Sequence, residues 1–585
     1  MTGRTSRLIA VLTALLLVAT SVQACARSTD EDQGAVSGDD SFRQLANEIL
    51  EFTYESDPSN ATYLGIHKYD NRIRDYSAAG VKADVEKIKD FQARIDAIDL
   101  ADLSEEAELD LEQVKHTLDG MLLRADVIRP WAKDPDTYSS GITNDAYVII
   151  SRSFAPPEDR LKSLISRLEA MPNALAEARK NLDNPPRIYT EIAIEQLDGN
   201  RAFFEQDVPA AFTDVKDPAL LAEFTSSRDA VVAALTDYGN WLRSDLLNRS
   251  NGSFALGEDT YRKVLDADEM ITTALPELLT VAEEDLKRNQ QAFTDAARQV
   301  DPTKSPQEVF ADLTKDHPRA SELLSVTQNN LDSLAQFVRD KQIIDVPPAP
   351  PAKVTETPPF MRATTTAAMD TPGPFEKVAT EAYYFMTLPD PSWPKEEQDD
   401  FMSQWYRPAI SNVSVHEVWP GHYVQFLYAK DYPSDVRKVF GAASNFEGWA
   451  HYCEQMMLDE GLHADDPRYR LAEVQDALLR DVRFIVGIKM HTEDMTVEQA
   501  QDMFEKEAYQ PAPVAESEAK RGTSDATYGY YTMGKLMILK LRDDYRAKLG
   551  DAYSLKDFHD KFIRLGPLPL PLIRKAMLGE TGDPF

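Results

Sequence analysis

Residues 414–422 read Ser-Val-His-Glu-Val-Trp-Pro-Gly-His and carry the pattern H-E-x-x-P-G-H, which decides the fold expected for the C-terminal half. In the familiar H-E-x-x-H helix, two histidines four residues apart reach one zinc ion while the glutamate beside them handles a water molecule. Here His416 and His422 are six residues apart, and Glu417 directly follows the first. The stretch therefore predicts a metal site only if the helix is interrupted.

The dipeptide Pro420-Gly421 supplies that interruption. Six residues of ideal helix turn through about 600°, which would place His422 about 120° away from His416 and about 9 Å along the axis. Pro420 has no N–H for the carbonyl group of His416, and its ring clashes with that group, while Gly421 tolerates the dihedral angles that follow. We expect the helix to open here and to return His422 to the side of His416.

A second segment offers the third protein ligand that a catalytic zinc site requires. Residues 445–454 read NFEGWAHYCE, and Glu447, His451 and Glu454 lie at positions i, i+4 and i+7, on one face of a predicted helix. Histidine is scarce, nine in all, yet five lie within residues 416–491. Glu447 is the preferred ligand and His451 its competitor. Glu454 is expected to hydrogen-bond a ligand imidazole or an arginine, with simple surface exposure as the alternative.

Together the two segments resemble a bacterial domain-of-unknown-function family numbered 885, over about residues 382–537. Members of that family carry H-E-x-x-P-G-H followed by E-G-W-A-x-Y-x-E. Residues 447–450, EGWA, are also similar to the N-E-G-F-A ligand segment of zinc aminopeptidases of the gluzincin group. The resemblance implies a zincin-type metallopeptidase, with both histidines of the first motif and Glu447 as zinc ligands and Glu417 as general base.

Two further stretches resemble the family's pattern more weakly. Residues 483–491, RFIVGIKMH, are similar to R-x-I-V-D-x-x-L-H, and residues 531–535, YTMGK, are similar to Y-x-x-G-K/Q. His491 and Tyr531 are therefore candidate donors to the oxyanion that forms when water attacks a carbonyl group. For Tyr531 the alternative is a packing role, because it lies in an aromatic-rich helix.

The same stretches hold two arginines that are candidates for substrate binding. Arg483 or Arg521 could pair with a substrate carboxylate, and the alternative for each is a structural ion pair in a very acidic protein. The sequence departs from the family's pattern at three places. Gly487 stands where aspartate is common, residues 525–526 replace a common Pro-Gly, and His451 replaces an apolar residue.

The composition is that of a large globular protein. The chain has 585 residues, 43% of them hydrophobic, and 63 Lys plus Arg against 98 Asp plus Glu, which gives a formal net charge of −35. Its length is enough for a substantial core and corresponds to about three or four domain-sized units. Because the acidic excess repels phosphate backbones and no basic cluster offsets it, nucleic acid is excluded as a partner.

The N-terminus predicts export and lipid anchoring. Residues 1–24 contain two arginines and no acid, with an apolar run over residues 8–18. Residues 22–25, VQAC, resemble a bacterial lipobox, in which signal cleavage leaves a lipid-modified Cys25 as the first residue. The alternative is an ordinary signal peptide with an incidental cysteine. We interpret residues 1–24 as a lipoprotein signal peptide and residues 25–40 as an acidic tether, so the protein is expected to be extracytoplasmic and anchored to a bacterial membrane.

Periodicity divides the remaining chain. Apolar residues recur at helical spacing over residues 41–340, which we interpret as a helical N-terminal half, and helical spacing returns after the proline-rich residues 346–394. Within that region, residues 363–368 and 382–388 are rich in threonine and aromatic residues and predict short strands. The expected fold is a large, mainly α, zincin-like protein with a small β-sheet near the active site, and residues 341–585 form the zinc-binding catalytic half.

We therefore expect a zinc-dependent peptidase in which the metal activates water and Glu417 is the general base. An extended peptide substrate could pair with a strand edge, for which residues 382–388 are the candidate. The alternatives are a surface lipoprotein that binds a peptide or envelope component with a structural or vestigial metal site, and a metal-dependent amidase acting on non-peptide amides. Bond specificity, exo- or endo-mode and oligomeric state stay open.

Overall fold

The amphipathic segments of the sequence form helices in the computed structural model, which describes residues 38–358, 362, 365–582 and 584–585. The predicted signal peptide, Cys25 and tether residues up to 37 lie outside the described residues. The last three residues predicted as tether instead begin the first helix, Gly38–Ser56. Asp39 and Asp40 occupy its first turn, where acidic side chains favour the N-terminal end of a helix dipole.

Helices continue through the N-terminal half as predicted. In chain order they are α1 (Gly38–Ser56), α2 (Pro58–Leu64), α3 (Ala78–Asp96), α4 (Glu105–Leu122), α5 (Pro130–Lys133), α6 (Asp136–Ile150), α7 (Pro157–Asn181), α8 (Arg187–Ala202), α9 (Val208–Ala210), α10 (Pro218–Trp241), α11 (Leu247–Arg249), α12 (Glu258–Glu269), α13 (Leu275–Val300), α14 (Pro306–Leu313) and α15 (Leu323–Asp340). Wider π-helical turns at Leu123–Ile128, Phe203–Asp207 and Leu242–Leu246 extend α4, α8 and α10.

The C-terminal half returns to helix after the proline-rich region. Its helices are α16 (Lys395–Met402), α17 (Arg407–Glu417), α18 (His422–Tyr428), α19 (Asp435–Val439), α20 (Ala443–Asp459), α21 (Pro467–Thr492), α22 (Val497–Glu507), α23 (Ala512–Ser524), α24 (Tyr530–Leu549), α25 (Leu555–Arg564) and α26 (Leu570–Leu578). Short 3₁₀ turns lie at His67–Tyr69, Leu100–Asp102, Ala320–Glu322, Ser403–Trp405, Ala429–Asp431 and Gly550–Ala552. Within the described part of the chain, no helix is both long enough and apolar enough to cross a bilayer.

The largest hydrophobic core joins the two predicted halves. Helix α13 packs along α21, and α20 packs along α24. Leu278 and Phe293, which precede the boundary at residue 340, therefore share a core with Ile485 and Ile538, which follow it. Smaller cores lie between α1, α3 and α4 and between α7 and α10. Residues 38–585 form one compact unit.

A three-stranded sheet lies in the proline-rich region and confirms the mainly α fold with a small sheet. Its strands are β1 (Lys353–Glu356), β2 (Ala367–Asp370) and β3 (Tyr383–Met386), in the order β1–β3–β2. Strand β3 pairs in parallel with β1 and antiparallel with β2. Tyr384 and Met386 point into a core that α15 and α16 also line.

Strand order corrects one prediction about substrate pairing. Residues 382–388 contain β3, which is the central strand and is paired on both sides, so its edges cannot receive a peptide. The predicted strand at residues 363–368 overlaps β2 only at its last two positions, and residues 363 and 364 lie outside the described residues. β2 is an outer strand. β1 was not predicted, because its sequence KVTE is short and mostly polar.

Two contacts position α20, the helix of the second motif. Glu269, at the end of α12, accepts hydrogen bonds from the backbone N–H and hydroxyl of Ser444 in the first turn of α20. At Gly448 the backbone of α20 lies directly against the backbone of α24. A Cβ atom at this position would lie 2.4 Å from the Cα atom of Gly534. The first contact holds the start of α20, and the second sets its distance from α24.

We expect the Glu269 contact to make stability depend on pH. Burial raises the pKa of Glu269 to about 7 from its usual value near 4.5. A group whose pKa rises on folding stabilises the folded state most below its unfolded pKa, and this contribution is lost as the pH rises through 7. In Glu269→Gln this loss is absent, so the free energy of unfolding of the variant relative to the wild type should rise between pH 4.5 and 8, by up to about 3 kcal/mol.

Urea denaturation across that pH range measures the difference. The exposed Glu258→Gln on the same helix is the matched control and should follow the wild type at every pH. Parallel pH profiles for Glu269→Gln and the wild type would contradict the assignment.

Candidate functional site

The first motif is broken at the predicted place. Helix α17 ends at Glu417 and α18 begins at His422, with residues 418–421 between them. The carbonyl of Ser414 accepts hydrogen bonds from the N–H groups of both residues 418 and 419, at 3.0 and 3.1 Å, and the peptide bond between residues 419 and 420 is cis. The expectation that Pro-Gly opens the helix is confirmed.

Gly421 is required for close packing. A Cβ atom at this position would lie 1.8 Å from the carbonyl oxygen of His416. The neighbouring Pro420 carbonyl accepts a hydrogen bond of 3.0 Å from the buried indole N–H of Trp449 on α20. The turn is thereby folded tightly onto α17 and tied to the helix of the second motif.

This turn brings the three predicted ligand residues together. The Nε2 atoms of His416 and His422 each lie 3.3 Å from Oε2 of Glu447, and the three ligand atoms are all within 4.8 Å of one another. The two imidazole rings are nearly perpendicular, with centroids 4.8 Å apart. Among the described residues, no other group of histidine, cysteine or carboxylate side chains meets in this way. His451, the competitor, is outside the cluster.

Glu454 supports the cluster from behind, in the role expected for it. Its Oε1 atom lies 2.6 Å from Nδ1 of His416 and its Oε2 atom 3.1 Å from Nδ1 of His451, and its side chain is fully buried. Burial opposes ionisation, but Arg480 and His451 hold the pKa of Glu454 well below its usual value. An ionised acceptor at Nδ1 keeps the proton of His416 there, which leaves Nε2 free as a ligand atom.

Sequence reasoning missed two charged residues of this support, Asp476 and Arg480 on α21. Arg480 Nη2 lies 3.1 Å from Oε1 of Glu454, and Asn412 Nδ2 donates to Asp476 at 2.6 Å. Burial raises the pKa of Asp476 to about 6. Residues 476, 480 and 483 have the same i, i+4, i+7 spacing as the second motif, and this signal could have found them.

Glu417 faces the sheet as well as the cluster. Its Oε2 atom accepts a hydrogen bond of 2.9 Å from the backbone N–H of Met369 in β2. Burial raises the pKa of Glu417, and the nearby imidazoles of His422 and His416 oppose that rise. Strand β2 thus orients the carboxylate that follows the first ligand residue, a contact that sequence reasoning did not foresee.

Tyr531 is brought to the site, in the first turn of α24. Its ring centroid is 6.4 Å from that of His416, and it is 9% exposed. Burial raises the pKa of Tyr531, and the nearby carboxylate of Glu447 raises it further. The hydroxyl group therefore stays protonated at neutral pH and can donate a hydrogen bond.

His491 is not brought to the cluster. Its Nε2 atom donates to the carbonyl oxygen of Gly522 at 2.8 Å, and its ring packs edge-on against Phe254. Helix α21 runs unbroken over Pro467–Thr492, so eight residues place His491 about 12 Å further along the axis than Arg483. The expected role of His491 as an oxyanion donor lacks geometric support.

Both candidate arginines have carboxylate partners. Arg483 forms two hydrogen bonds with Glu518, at 2.7 and 2.6 Å, and its guanidinium group lies 5.1 Å from the ring centroid of Tyr531. Arg521 binds Asp525 at 2.9 Å through Nη2 and lies close enough to Tyr531 to lower its pKa. Both arginines therefore surround the tyrosine that reaches the cluster.

The chain matches a known family along most of its length. Residues 58–577 match the family model described as "Bacterial protein of unknown function (DUF885)". The chain belongs to the DUF885 family. The family predicted from the two motifs is thereby confirmed, and the match extends into the N-terminal helices. The chain matches no curated protein.

Solved structures share the fold of this DUF885 chain. One is described as "a putative lipoprotein of unknown function" from Shewanella oneidensis, with 27% identity and a TM-score of 0.78, covering 92% of this chain and 99% of that one. Another is described as a "putative lipoprotein" from Colwellia psychrerythraea, with 17% identity and a TM-score of 0.80, covering 93% of this chain and 99% of that one. The second likeness is one of fold alone.

The close approach at Gly421 can be tested in the DUF885 chain by one added methyl group. Gly421→Ala should lower the free energy of unfolding by about 1–3 kcal/mol or more, because the turn must move away from the carbonyl of His416. Urea denaturation measures the change. Gly199→Ala is the control, because Gly199 is exposed in α8 with no heavy atom within 4 Å of the new methyl group. The control should be neutral or stabilising by up to about 1 kcal/mol. Equal stability of Gly421→Ala and the wild type would contradict the packing.

Proposed function

We propose that this DUF885 chain is a zinc-dependent peptidase anchored by lipid on the outer side of a bacterial membrane. The observation that carries the proposal is the convergence of His416, His422 and Glu447, with Glu417 close enough for all three to affect its pKa. Two imidazoles and one carboxylate are a known ligand set of catalytic zinc, which keeps a further position open for water or substrate.

Two of the three separations between ligand atoms match those around a zinc ion, and the third, between the two histidine nitrogens, is within 4.8 Å. Zinc bonds to histidine nitrogen and carboxylate oxygen are about 2.0–2.2 Å long, so tetrahedral ligand atoms lie about 3.3–3.5 Å apart. The two histidine nitrogens each lie 3.3 Å from Oε2 of Glu447. That oxygen is buried without a hydrogen-bond donor among the described residues, which is costly unless a cation binds it. The separations and the unpaired oxygen both support a metal at this point.

The surrounding residues suit amide hydrolysis. When bound, zinc would supply a Lewis acid and favour ionisation of water. Glu417 is held by Met369 next to the ligand atoms, where its carboxylate can take a proton from the attacking water and give it to the leaving amine. Tyr531 can donate its hydroxyl proton in a hydrogen bond to the oxyanion of the tetrahedral intermediate.

The outer edge of β2 is suited to an extended peptide. The N–H group of Thr387 donates to the carbonyl of Thr366, which fixes the hydrogen-bonding pattern between β3 and β2. The backbone N–H and C=O groups of alternate residues in β2 therefore point toward β3, and those of Ala367 and Met369 point away from it. The Met369 N–H contacts Glu417, which places this edge beside the cluster. The remaining groups could pair with a peptide backbone, which makes a peptide the favoured substrate class.

The predicted lipid anchor at Cys25 completes the proposal. The lipobox-like residues 22–25 follow an apolar run typical of an export signal. The similar protein from Shewanella oneidensis, described as a putative lipoprotein, supports the same interpretation for this chain. An extracytoplasmic peptidase of net charge −35 would have no attraction to nucleic acid.

Metal content tests the ligand set. His416→Ala, His422→Ala and Glu447→Ala should each reduce bound zinc from about one equivalent to near zero after gel filtration, because each removes one of three protein ligands. Inductively coupled plasma mass spectrometry measures the zinc, and circular dichroism checks folding. His451→Gln and the loop variant His463→Gln are controls and should retain zinc. Loss of zinc in His451→Gln with retention in Glu447→Ala would make His451 the ligand.

The role of Glu417 is tested by turnover. Glu417→Gln should retain zinc but hydrolyse peptides about 10²–10⁴ times more slowly, because the general base is lost. Digestion of a peptide library with and without chelator, read by mass spectrometry, measures the rate. The exposed Glu397→Gln on α16 should behave as the wild type. Normal turnover in Glu417→Gln would disprove the assigned base, and absence of chelator-sensitive hydrolysis in the wild type would favour a binding protein.

A further inference from the structure

We propose that Arg521 binds the C-terminal carboxylate of the substrate, so that the site cleaves peptides one or two residues from their C-terminus. This inference rests on the proposed peptidase function and names its substrate class. It follows from how three arginines surround Tyr531 and from which of them is accessible to a ligand.

The three arginines converge on the tyrosine nearest to the cluster. The guanidinium groups of Arg480 and Arg483 lie 5.5 and 5.1 Å from the ring centroid of Tyr531, and Arg521 lies close enough to lower the pKa of its hydroxyl group. Each of these arginines also faces a carboxylate, from Glu454, Glu518 or Asp525, so the region has no excess of positive charge. A substrate carboxylate can bind here only through N–H donors that these ion pairs leave accessible.

Two of these arginines are already committed to buried partners. Arg480 is 13% exposed and contacts both oxygens of Glu454, at 3.1 and 3.4 Å. Arg483 is 10% exposed and presents its Nε and Nη2 atoms to the two oxygens of Glu518. Both guanidinium groups are almost fully buried against these carboxylates, so an incoming ligand has little access to their remaining N–H groups, which include the unpaired Nε of Arg480.

Arg521 differs in both exposure and bonding. Its side chain is 36% exposed, and its Nε and Nη2 atoms both donate to the same oxygen of Asp525, at 3.1 and 2.9 Å. Nη2 also donates to the hydroxyl of Tyr530 at 3.3 Å. A guanidinium group has five N–H donors, and the bonds to Asp525 and Tyr530 use three of them. The other two, on Nη1, remain for an incoming carboxylate on a side chain that solvent can reach.

The position of Arg521 sets how far the carboxylate can be from the cleaved bond. Arg521 donates to the hydroxyl of Tyr530, whose ring stacks on that of Tyr531, and the ring of Tyr531 lies 6.4 Å from that of His416, so these tyrosines lie between the arginine and the ligand cluster. One residue of extended peptide spans about 3.5 Å. A carboxylate one or two residues beyond the scissile carbonyl therefore reaches Arg521, whereas an internal segment of a long chain offers no such charge.

Matched peptides test the inference on the full-length, zinc-loaded protein. Two peptides identical except for a C-terminal carboxylate or carboxamide should differ in kcat/KM by about tenfold or more in favour of the acid, because a charge-assisted hydrogen bond is lost in the amide. Arg521→Gln should reduce this ratio to about twofold or less. Arg249→Gln is the control and should keep the wild-type ratio, because Arg249 is similarly exposed, at 40%, and pairs with Asp245 at 3.2 Å on a helix remote from the cluster.

Binding without turnover separates this inference from the proposed function. In the zinc-loaded Glu417→Gln variant, calorimetry should show the acid binding about tenfold more tightly than the amide, and addition of Arg521→Gln should abolish the difference. Equal binding of acid and amide would overturn the carboxylate site even if the wild type is a peptidase. If the wild type hydrolyses no peptide, the peptidase proposal fails, and the calorimetric comparison still decides whether Arg521 binds a carboxylate.

Discussion

The approach of Gly421 to the carbonyl of His416 is the constraint on which the rest of the site depends. Only a residue without Cβ allows the chain to fold this closely onto the end of α17, and the turn then presents His422 beside His416. The same turn receives the indole N–H of Trp449, so its position is shared with α20 and hence with Glu447. One steric contact and one hydrogen bond therefore bring ligand atoms from three helices to a common point.

The charges behind the cluster explain why its geometry can persist inside a buried core. Glu454 is fully buried, and such a carboxylate is tolerated only when several donors surround it. Four residues on α17, α20 and α21 provide those donors: Asn412, His416, His451 and Arg480. This buried network joins α17, α20 and α21 through charged hydrogen bonds. Close packing of Gly448 against Gly534 joins α20 to α24.

Short-range spacing made much of the site predictable, and long-range pairing made the rest unpredictable. Four residues of the site can be selected from the sequence, because each belongs to a short motif whose helical spacing is visible: His416, His422, Glu447 and Glu454. The order of the three strands depends on pairing between distant segments, so β3 was mistaken for an edge. His491 was selected by resemblance alone, and the straight course of α21 separates it from the cluster. The spacing of Arg480 from Asp476 and Arg483 is readable in the same way as that of the second motif.

The hydrogen bond from Met369 to Glu417 has a consequence for any peptide that joins β2. The N–H group of Met369 on the outer edge of β2 already donates to Glu417. A peptide that pairs with this edge therefore lacks one backbone hydrogen bond, at the position opposite Glu417. A chain shifted by one residue would turn its side chains to the other face and lose its remaining backbone partners. The pairing with β2 would thus fix the register of a bound peptide. This register would determine which amide bond of the peptide lies beside the carboxylate of Glu417, independently of side-chain identity.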